Sequence, residues 1–229
     1  MNNFDTFESK AGISVADKDL LKRAFTHRSY INENRGQGEH NERLEFLGDA
    51  VLELVITDYL FRKYPETNEG ELTLYRAALV NTQALASVAG TLDINEYLLL
   101  SKGEAKDTGK ARDHILANTV ESVIGALYLD GGYDSAKNFI MSHIAPLIDN
   151  IVEKGTWVDA KSKFQEKAQE VEGVTPTYEI VREVGPDHDK KFTVGVYLGK
   201  VEVAQGNGNS KQEAEQNAAR AALEAKGWM

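Results

Sequence analysis

One segment, residues 41–54, constrains the fold more than any other because it carries two stripes of residues at helical spacing. Glu42, Glu45 and Asp49 form an acidic stripe, in which like charges one turn apart destabilise a helix. A bound cation is one way to tolerate that repulsion, and a solvated acidic face is the ordinary alternative. The apolar stripe predicts a buried face made of Leu44, Leu47, Val51, Leu54 and Val55.

Gly48 argues against a face that is merely solvated. A glycine inside a helix costs about 1 kcal/mol relative to alanine, and this one lies directly beside Asp49. Its position predicts that another part of the chain comes close at this point.

A second acidic helix follows at residues 111–129, where apolar residues occupy most positions. Its narrow polar strip consists of His114, Asn118, Glu121 and Gly125. Burying a glutamate is costly unless it is paired or binds a metal, so Glu121 is a candidate ligand. An arginine from another helix is the structural alternative. Oxygen ligands from both helices suit Mg²⁺, with Mn²⁺ as a substitute.

The remaining patterns of the first half predict an all-α domain. One helix runs over residues 17–28, with His27 as a polar cap near its end, and the acidic helix continues to about Tyr64. Another helix spans about 71–90, and a last amphipathic helix runs from 135 to 152.

After residue 153 the pattern changes to that of a small α+β domain. The expected order is α-β-β-β-α, with helices over 161–172 and 210–226 and strands over 177–181, 192–197 and 200–204. We therefore predict a first domain at 1–153, a linker at 154–158 and a second domain at 159–229.

Charge and composition exclude several classes. The net charge is −10, of which residues 1–154 contribute −8 and residues 155–229 contribute −2, so any nucleic acid must be bound through local patches and metal ions. The absence of cysteine excludes disulfides and thiolate zinc sites. No secretory signal and no run of about 18–20 apolar residues is present, which predicts a cytoplasmic protein with no membrane partner.

Residues 41–54 resemble the signature of ribonuclease III, a family of endonucleases specific for double-stranded RNA, and the second half resembles a double-stranded RNA binding domain. The resemblance extends from His27 to Ala222. It implies a homodimer with one cluster per RNA strand. It also implies metal ligands at Glu45, Asp49 and Glu121, catalytic roles for Asp49 and Glu121, further acidic positions at Glu42 and Glu69, and a dimer contact at Phe46. A core aromatic is the alternative for Phe46.

Position 118 departs from the family pattern, which has aspartate where this chain has Asn118. The asparagine oxygen can still face a metal ion, but it lacks the charge that binds Mg²⁺ and polarises its water. We expect duplex binding to survive and cleavage to be strongly impaired.

The second domain offers three expected RNA contacts. By resemblance, Gln165 and Glu166 touch 2′-hydroxyls, and the loop with His188 reaches the minor groove, although an exposed loop residue is the simpler interpretation of His188. Ser210 and Lys211 begin the last helix, where the helix N-terminus would face phosphates. This site is expected in residues 206–211, between the third strand and the helix, with Ser210 and Glu213 forming a capping box.

The leading hypothesis is a Mg²⁺-dependent endonuclease acting on double-stranded RNA. By resemblance it leaves 5′-phosphate and 3′-hydroxyl ends and processes ribosomal RNA precursors and other structured transcripts. A non-catalytic binder of duplex RNA is the alternative that Asn118 favours. A phosphohydrolase of small nucleotides is less consistent with the sequence, because its usual His-Asp pair on a helix is missing.

Overall fold

The computed structural model describes residues 4–34, 36, 38–106, 109–153, 155, 159–186 and 190–228. The chain forms two compact units, Met1–Trp157 and Val158–Met229. No helix in these described ranges is long and apolar enough to cross a membrane. Most of the predicted linker 154–158, and the predicted contact His188, lie outside the described residues.

The first unit is helical, as predicted, and is built around two long helices. Its helices are α1 Phe4–Ala11, α2 Lys18–Ala24, α3 Arg28–Glu33, α4 Glu42–Lys63, α5 Glu69–Val80, α6 Thr82–Thr91, α7 Lys110–His143 and α8 Leu147–Glu153, with 3₁₀ turns at Ile94–Glu96 and Glu104–Lys106. Helices α4 and α7 pack against each other along the core. Leu52 and Ile56 of α4 and Val123 and Ile124 of α7 are completely buried there.

The predicted helix over residues 17–28 is wrong in its second half. Helix α2 ends at Ala24, and the next residues turn away to pair with Leu99, whose carbonyl oxygen accepts the His27 N–H at 3.0 Å. His27 has an extended backbone, and its Nδ1 accepts the Ser29 N–H at 3.3 Å. It is therefore a cap, as predicted, but it begins α3 instead of ending α2.

The predicted helix over residues 71–90 is in fact two helices separated by Asn81. The backbone of Asn81 is extended (φ −73°, ψ 162°), and its side-chain oxygen accepts the Ala84 N–H at 2.9 Å. A side chain that satisfies a free N–H at the start of a helix favours a new helix at this point.

The predicted separation between the helices over 111–129 and 135–152 is present as a break at Gly132, which has non-helical angles (φ 76°, ψ −170°) inside α7. The predicted final helix over 135–152 is divided a second time between α7 and α8. Pro146 lies in the gap, where its missing N–H and its ring interrupt the helical hydrogen bonds.

Asp130 of α7 fastens the start of α2. Its carboxylate accepts the Ala16 N–H at 2.9 Å and the Asp17 N–H at 2.8 Å. These bonds stabilise the charged form, first through Asp17 and then through Ala16, and hold the pKa of Asp130 below its usual range.

The second unit has the predicted order α-β-β-β-α. Its elements are α9 Ala160–Glu172, β1 Thr177–Val184, β2 Lys191–Leu198, β3 Val201–Gly208 and α10 Lys211–Lys226. The strands form one antiparallel sheet in the order β1-β2-β3. Phe164, Val196 and Leu223 are buried between the sheet and the helices.

The prediction that residues 206–211 lie between the third strand and the last helix is wrong in its first half, because Gly206 and Gly208 belong to β3. A Cβ atom on Gly206 would lie 2.0 Å from the Ala218 nitrogen, and one on Gly208 would lie 2.5 Å from the Ala214 nitrogen. The glycines let the strand pack directly on the backbone of α10, so they serve packing instead of forming a flexible loop.

Candidate functional site

Two glycines bring the backbones of α4 and α7 into contact. A Cβ atom on Gly48 would lie 1.7 Å from the Glu121 carbonyl oxygen, and one on Gly125 would lie 2.2 Å from the Leu44 carbonyl oxygen. No larger residue fits at either position unless the helices separate. The close approach predicted from Gly48 is therefore confirmed.

This crossing brings the acidic positions of the two helices together. Gly48 lies between Glu45 and Asp49 on α4, and its contact on α7 is Glu121 itself. Asn118 lies one turn before Glu121, and its side chain interacts with the Glu45 carboxylate by hydrogen bonding. The four polar residues that the sequence placed on two facing strips are thus neighbours in the structure.

Glu121 has the most perturbed carboxyl group of the site. Burial, followed by the nearby carboxylates of Asp49 and Glu45, raises the pKa of Glu121 to about 8. No lysine, arginine or histidine within the described residues forms an ion pair with Glu45, Asp49 or Glu121. The arginine partner that was the alternative for Glu121 is therefore missing from the described part of the chain.

Glu45 experiences the same effects more weakly. Burial raises its pKa, the neighbouring charges of Glu42 and Asp49 raise it further, and the hydrogen bond from Asn118 opposes the rise. An aspartate at position 118 would offer no such hydrogen-bond donor when ionised, and it would repel Glu45.

The side chains as they stand in the described ranges do not form a finished metal site, because no three His, Asp or Glu groups converge closely enough to hold an ion. The charges of Asp49 and Glu45 nevertheless lie near enough to Glu121 to raise its pKa, after the larger effect of burial. Since the glycine crossing fixes both backbones, we expect rotamer changes to bring the oxygens onto a common ion. The donor set of carboxylate and amide oxygens around a half-buried, unpaired glutamate fits Mg²⁺ or Mn²⁺.

The two further acidic positions differ in their surroundings. Glu42 lies at the start of α4, with Arg28 Nη1 at 3.1 Å from its Oε1 and His40 Nδ1 at 3.8 Å from its Oε2. Glu69, the exposed first residue of α5, accepts a hydrogen bond from Thr73 Oγ1 at 3.3 Å. Glu69 is not among the charges that raise the pKa of Glu45 or Glu121, so a single chain does not bring it into the cluster.

An exposed apolar stripe follows α4 on the surface. Phe46 is 81% exposed, Leu54 58% and Phe61 71%. Phe46 is therefore not a core aromatic. The prediction that Leu54 belongs to the buried stripe is wrong, because Leu54 is exposed and other residues form the core face of α4. Apolar side chains aligned on one exposed helix face mark a surface for association.

In the second unit, the predicted RNA contacts lie on exposed parts of the helices. Gln165 and Glu166 are exposed on α9. Ser210 Oγ accepts the Glu213 N–H at 3.1 Å, and the Glu213 carboxylate in turn accepts the Asn209 N–H at 2.8 Å, one residue earlier than in a standard capping box. Lys211 Nζ lies 3.9 Å from Glu215, so its charge is partly offset within the domain.

Comparison with known families agrees with this architecture. The model of the Ribonuclease-III-like family matches residues 17–148, which contain the whole helical crossing, and the model of the double-stranded RNA binding motif matches residues 160–226. The chain belongs to the ribonuclease III family.

Relatives within this family cover nearly the full length. The chain is 48% identical to the Ribonuclease 3 of Natranaerobius thermophilus, over 95% of this chain and 94% of the relative. It is 46% identical to the Ribonuclease 3 of Pelotomaculum thermopropionicum, over 94% and 90% of the two chains. It belongs with these endoribonucleases by sequence along both units.

The solved nuclease domain of ribonuclease III from Campylobacter jejuni is similar in fold as well. It superposes with a TM-score of 0.57 at 39% identity, covering 62% of this chain and 96% of that domain. The description of that domain notes structural flexibility in a region involved in its dimer formation. The first unit of this chain therefore has the fold of a ribonuclease III nuclease domain.

Two features of the site were missed from the sequence alone. The ion pair of Arg28 with Glu42 joins residues of two different helices, and no periodicity within either helix signals it. Gly125 was noted only as part of a polar strip, although a second glycine at helical spacing from Glu121 could have indicated the partner of Gly48.

Proposed function

We propose that this protein is a divalent-metal-dependent endonuclease that cleaves double-stranded RNA into products with 5′-phosphate and 3′-hydroxyl ends. The observation that supports the proposal is the half-buried Glu121, which the glycine crossing brings near Glu45 and Asp49 and which forms no ion pair with a cationic side chain of the described residues. A divalent cation would remove the repulsion among these groups. Mg²⁺ is the proposed ion, and Mn²⁺ would substitute for it.

Each residue of the proposed site has a role that its position supports. Glu45, Asp49 and Glu121 would bind the metal through carboxylate oxygens, with Asp49 and Glu121 nearest the reaction. Asn118 would contribute its amide oxygen while its N–H groups hold Glu45. A metal bound there supplies an activated water and offsets charge on the phosphoryl oxygens.

Binding of the substrate is assigned to the second unit. Its family match supports recognition of duplex RNA by shape and backbone contacts. The proposed contacts on the helices are Gln165 and Glu166 of α9 and Ser210 and Lys211 at the start of α10. His188, which lies in sequence between β1 and β2, is the third proposed contact. Ribosomal RNA precursors and other structured transcripts are the expected substrates, as in the family.

We further propose that the protein acts as a homodimer through the exposed stripe of α4. Phe46 lies next to Glu45 in sequence yet is almost fully exposed, so a partner that covers it would come close to the carboxylates. Two copies related by symmetry would place one cluster against each strand of a duplex. Phe46→Glu should produce monomers in analytical ultracentrifugation, and a dimer that persists in this variant would exclude the stripe as the interface.

The impaired cleavage expected from Asn118 remains a prediction, and the interaction with Glu45 supports a more specific form of it. Asn118 removes one negative charge from the site, so the concentration of Mg²⁺ at half-maximal activity should be high. At low Mg²⁺, Asn118→Asp should cleave roughly ten times faster, because each added charge strengthens the attraction for a divalent ion. The difference should become smaller as Mg²⁺ approaches saturation, but Asn118→Asp should remain faster, because an asparagine oxygen polarises the metal-bound water less than a carboxylate does.

The deciding experiment compares a perfect RNA duplex with its single strands and with the DNA duplex of the same sequence. Only the RNA duplex should be cleaved, only with metal, and Glu121→Gln should lose activity about 100-fold or more. Asp134→Asn, an exposed acid on the same helix, is the matched control and should retain activity.

A non-catalytic binder of duplex RNA is the second candidate, which Asn118 favours. It predicts unchanged duplex binding with no cleavage at any Mg²⁺ concentration, and cleavage only in Asn118→Asp. Cleavage by the chain with Asn118 at saturating Mg²⁺, lost in Glu121→Gln, would exclude this candidate.

A further inference from the structure

Arg28 and Glu42 form an ion pair at the edge of the proposed metal site, between the first residue of α3 and the first residue of α4. Arg28 Nη1 lies 3.1 Å from Glu42 Oε1. Glu42 is one turn before Glu45 and raises the pKa of that carboxyl group. The pair is therefore electrostatically connected to the site, although neither member is one of its proposed ligands.

The backbone around the pair is fixed independently of it. Asn41 is buried, its N–H donates to the Thr26 carbonyl oxygen at 2.9 Å, and its side-chain amide donates to the Ala24 carbonyl oxygen at 3.2 Å. These bonds fasten the start of α4 to the segment that precedes α3. The backbone positions of Arg28 and Glu42 are therefore held by hydrogen bonds that do not involve the ion pair.

The exposure of the pair indicates that it contributes little to folding. The Arg28 side chain is 65% exposed and the Glu42 side chain 45%, and exposed ion pairs of this kind add little stability. A charge at the edge of an acidic cluster has a larger effect on the binding of a divalent ion, because the energy scales with the product of the two charges.

We propose that Arg28 is a positioning residue that neutralises Glu42 and thereby sets the negative charge of the carboxylate cluster available to a divalent ion. The proposal rests on the proposed metal site. With the pair intact, the charge of Arg28 opposes the negative field that Glu42 adds at Glu45, Asp49 and Glu121. Without Arg28, the site becomes more negative, and without Glu42, the unpaired guanidinium makes it less negative.

The test is a charge cycle measured on the full-length protein by electron paramagnetic resonance of free Mn²⁺. Arg28→Gln should tighten Mn²⁺ binding about threefold, and Glu42→Gln should weaken it about threefold. The double variant should return to the affinity of the unaltered protein. The cycle is repeated in a His40→Gln background, because His40 Nδ1 lies 3.8 Å from Glu42 Oε2 and is the other basic group beside it among the described residues.

Two further variants separate charge from structure. Arg28→Lys keeps the charge and should bind Mn²⁺ as the unaltered protein does. Arg62→Gln removes another exposed ion pair, which Arg62 forms with Asp58 at 2.8 Å on α4. This variant should leave the affinity for Mn²⁺ unchanged. Melting in EDTA should be shifted equally by Arg28→Gln and Arg62→Gln. Unequal melting together with an affinity loss in Arg28→Lys would overturn the proposal in favour of a structural role.

Glu121→Gln distinguishes the failure of this proposal from the failure of the metal site itself. If Glu121→Gln binds Mn²⁺ as well as the unaltered protein, the metal site is wrong. If Glu121→Gln loses Mn²⁺ but Arg28→Gln and Glu42→Gln shift the affinity in the same direction or not at all, only the role of Arg28 is wrong. Opposite shifts that cancel in the double variant support the proposal.

Discussion

In both units of this chain, glycines let the backbones of two elements come into direct contact, but the charges around the two contacts differ. In the first unit, Gly48 and Gly125 let two helices touch, and the contact brings together carboxylates that no cationic side chain in the described ranges pairs with. In the second unit, Gly206 and Gly208 let a strand touch α10, and the charged groups nearby are paired within the domain. Close backbone packing is therefore structural in both units, but in the first it also gathers the carboxylates to which we assign metal binding.

The pairing in the second unit is extensive around the start of α10. Glu215 accepts from Lys161 at 2.6 Å and lies 3.9 Å from Lys211, and Asp159 accepts from Gln216 at 2.7 Å. A domain whose charged side chains already form ion pairs can still recognise duplex RNA by its shape. Some of these ion pairs would then be replaced by contacts with phosphate groups. An unpaired acidic cluster, by contrast, is costly until a cation arrives.

The largest expected effect comes from filling the helical crossing. Gly48→Ala places a Cβ atom against a carbonyl oxygen, and we expect it to destabilise the first unit by about 3 kcal/mol or more in urea unfolding. Gly90→Ala is the matched control, since a Cβ atom there meets nothing within 4 Å. Equal stability of the two variants would mean that the helices do not touch at Gly48.

The corresponding change in the second unit is Gly206→Ala, which we expect to cost somewhat less, about 2–3 kcal/mol. Hydrogen exchange resolved by segment should show faster exchange in β3 and α10 and unchanged exchange in α4 and α7. Val201→Ala, an exposed position on the same strand, should change neither region. Faster exchange of α4 in Gly206→Ala would contradict the separation into two units.

A smaller effect on the free energy of unfolding is expected from removing the charge of Glu121, and it should depend on pH. In EDTA, Glu121→Gln should be more stable than the unaltered protein at pH 9, by roughly 2–3 kcal/mol after allowing for partial exposure. A carboxyl group with a pKa raised to about 8 keeps its proton in the folded state while the unfolded chain has lost it. Stability is therefore lost as the pH rises from about 4 to 8. Below about pH 4 the two proteins should be equally stable, and a stability difference that does not depend on pH would contradict this account.

The smallest effect concerns Asp130, whose charge is satisfied by backbone donors. Asp130→Asn should cost about 0.5–1 kcal/mol at pH 7. Because its pKa is lowered on folding, this contribution is present above about pH 4 and disappears as the pH falls through the folded value. Thermal unfolding of both proteins between pH 2 and 7 measures the difference. A stability difference that stays constant over this pH range would contradict the role of the Asp130 charge.

The sequence predicted the close approach of the two acidic helices better than it predicted the helix boundaries, for physical reasons. Gly48 could be interpreted correctly because a glycine beside an acid inside a helix is costly without a close neighbour. The starts of α3 and α6 were missed because the capping side chains of His27 and Asn81 compete locally with a continuous helical pattern. Gly206 was placed beyond the third strand because a glycine inside a strand weakens the strand pattern unless another backbone packs closely on it.

Contacts between distant parts of the chain could not be predicted from the periodicity of a single helix. Leu54 fits the apolar stripe of α4 by spacing but faces outward, since spacing cannot tell a core face from an exposed surface. The pair of Arg28 and Glu42 depends on how two separate helix starts meet. The acidic pattern indicated which residues come together, and only the fold shows that no cationic side chain of the described residues joins them.

The most direct test of the central account is the proton balance of metal binding, measured by titration calorimetry at pH 7 in buffers of different ionisation enthalpy. Because Glu121 holds its proton at pH 7 in the metal-free protein, binding of Mg²⁺ should release about one proton per ion. The release should decline toward zero above about pH 9 and be absent in Glu121→Gln. Binding of Mg²⁺ without proton release, or with the same release in Glu121→Gln, would contradict the account.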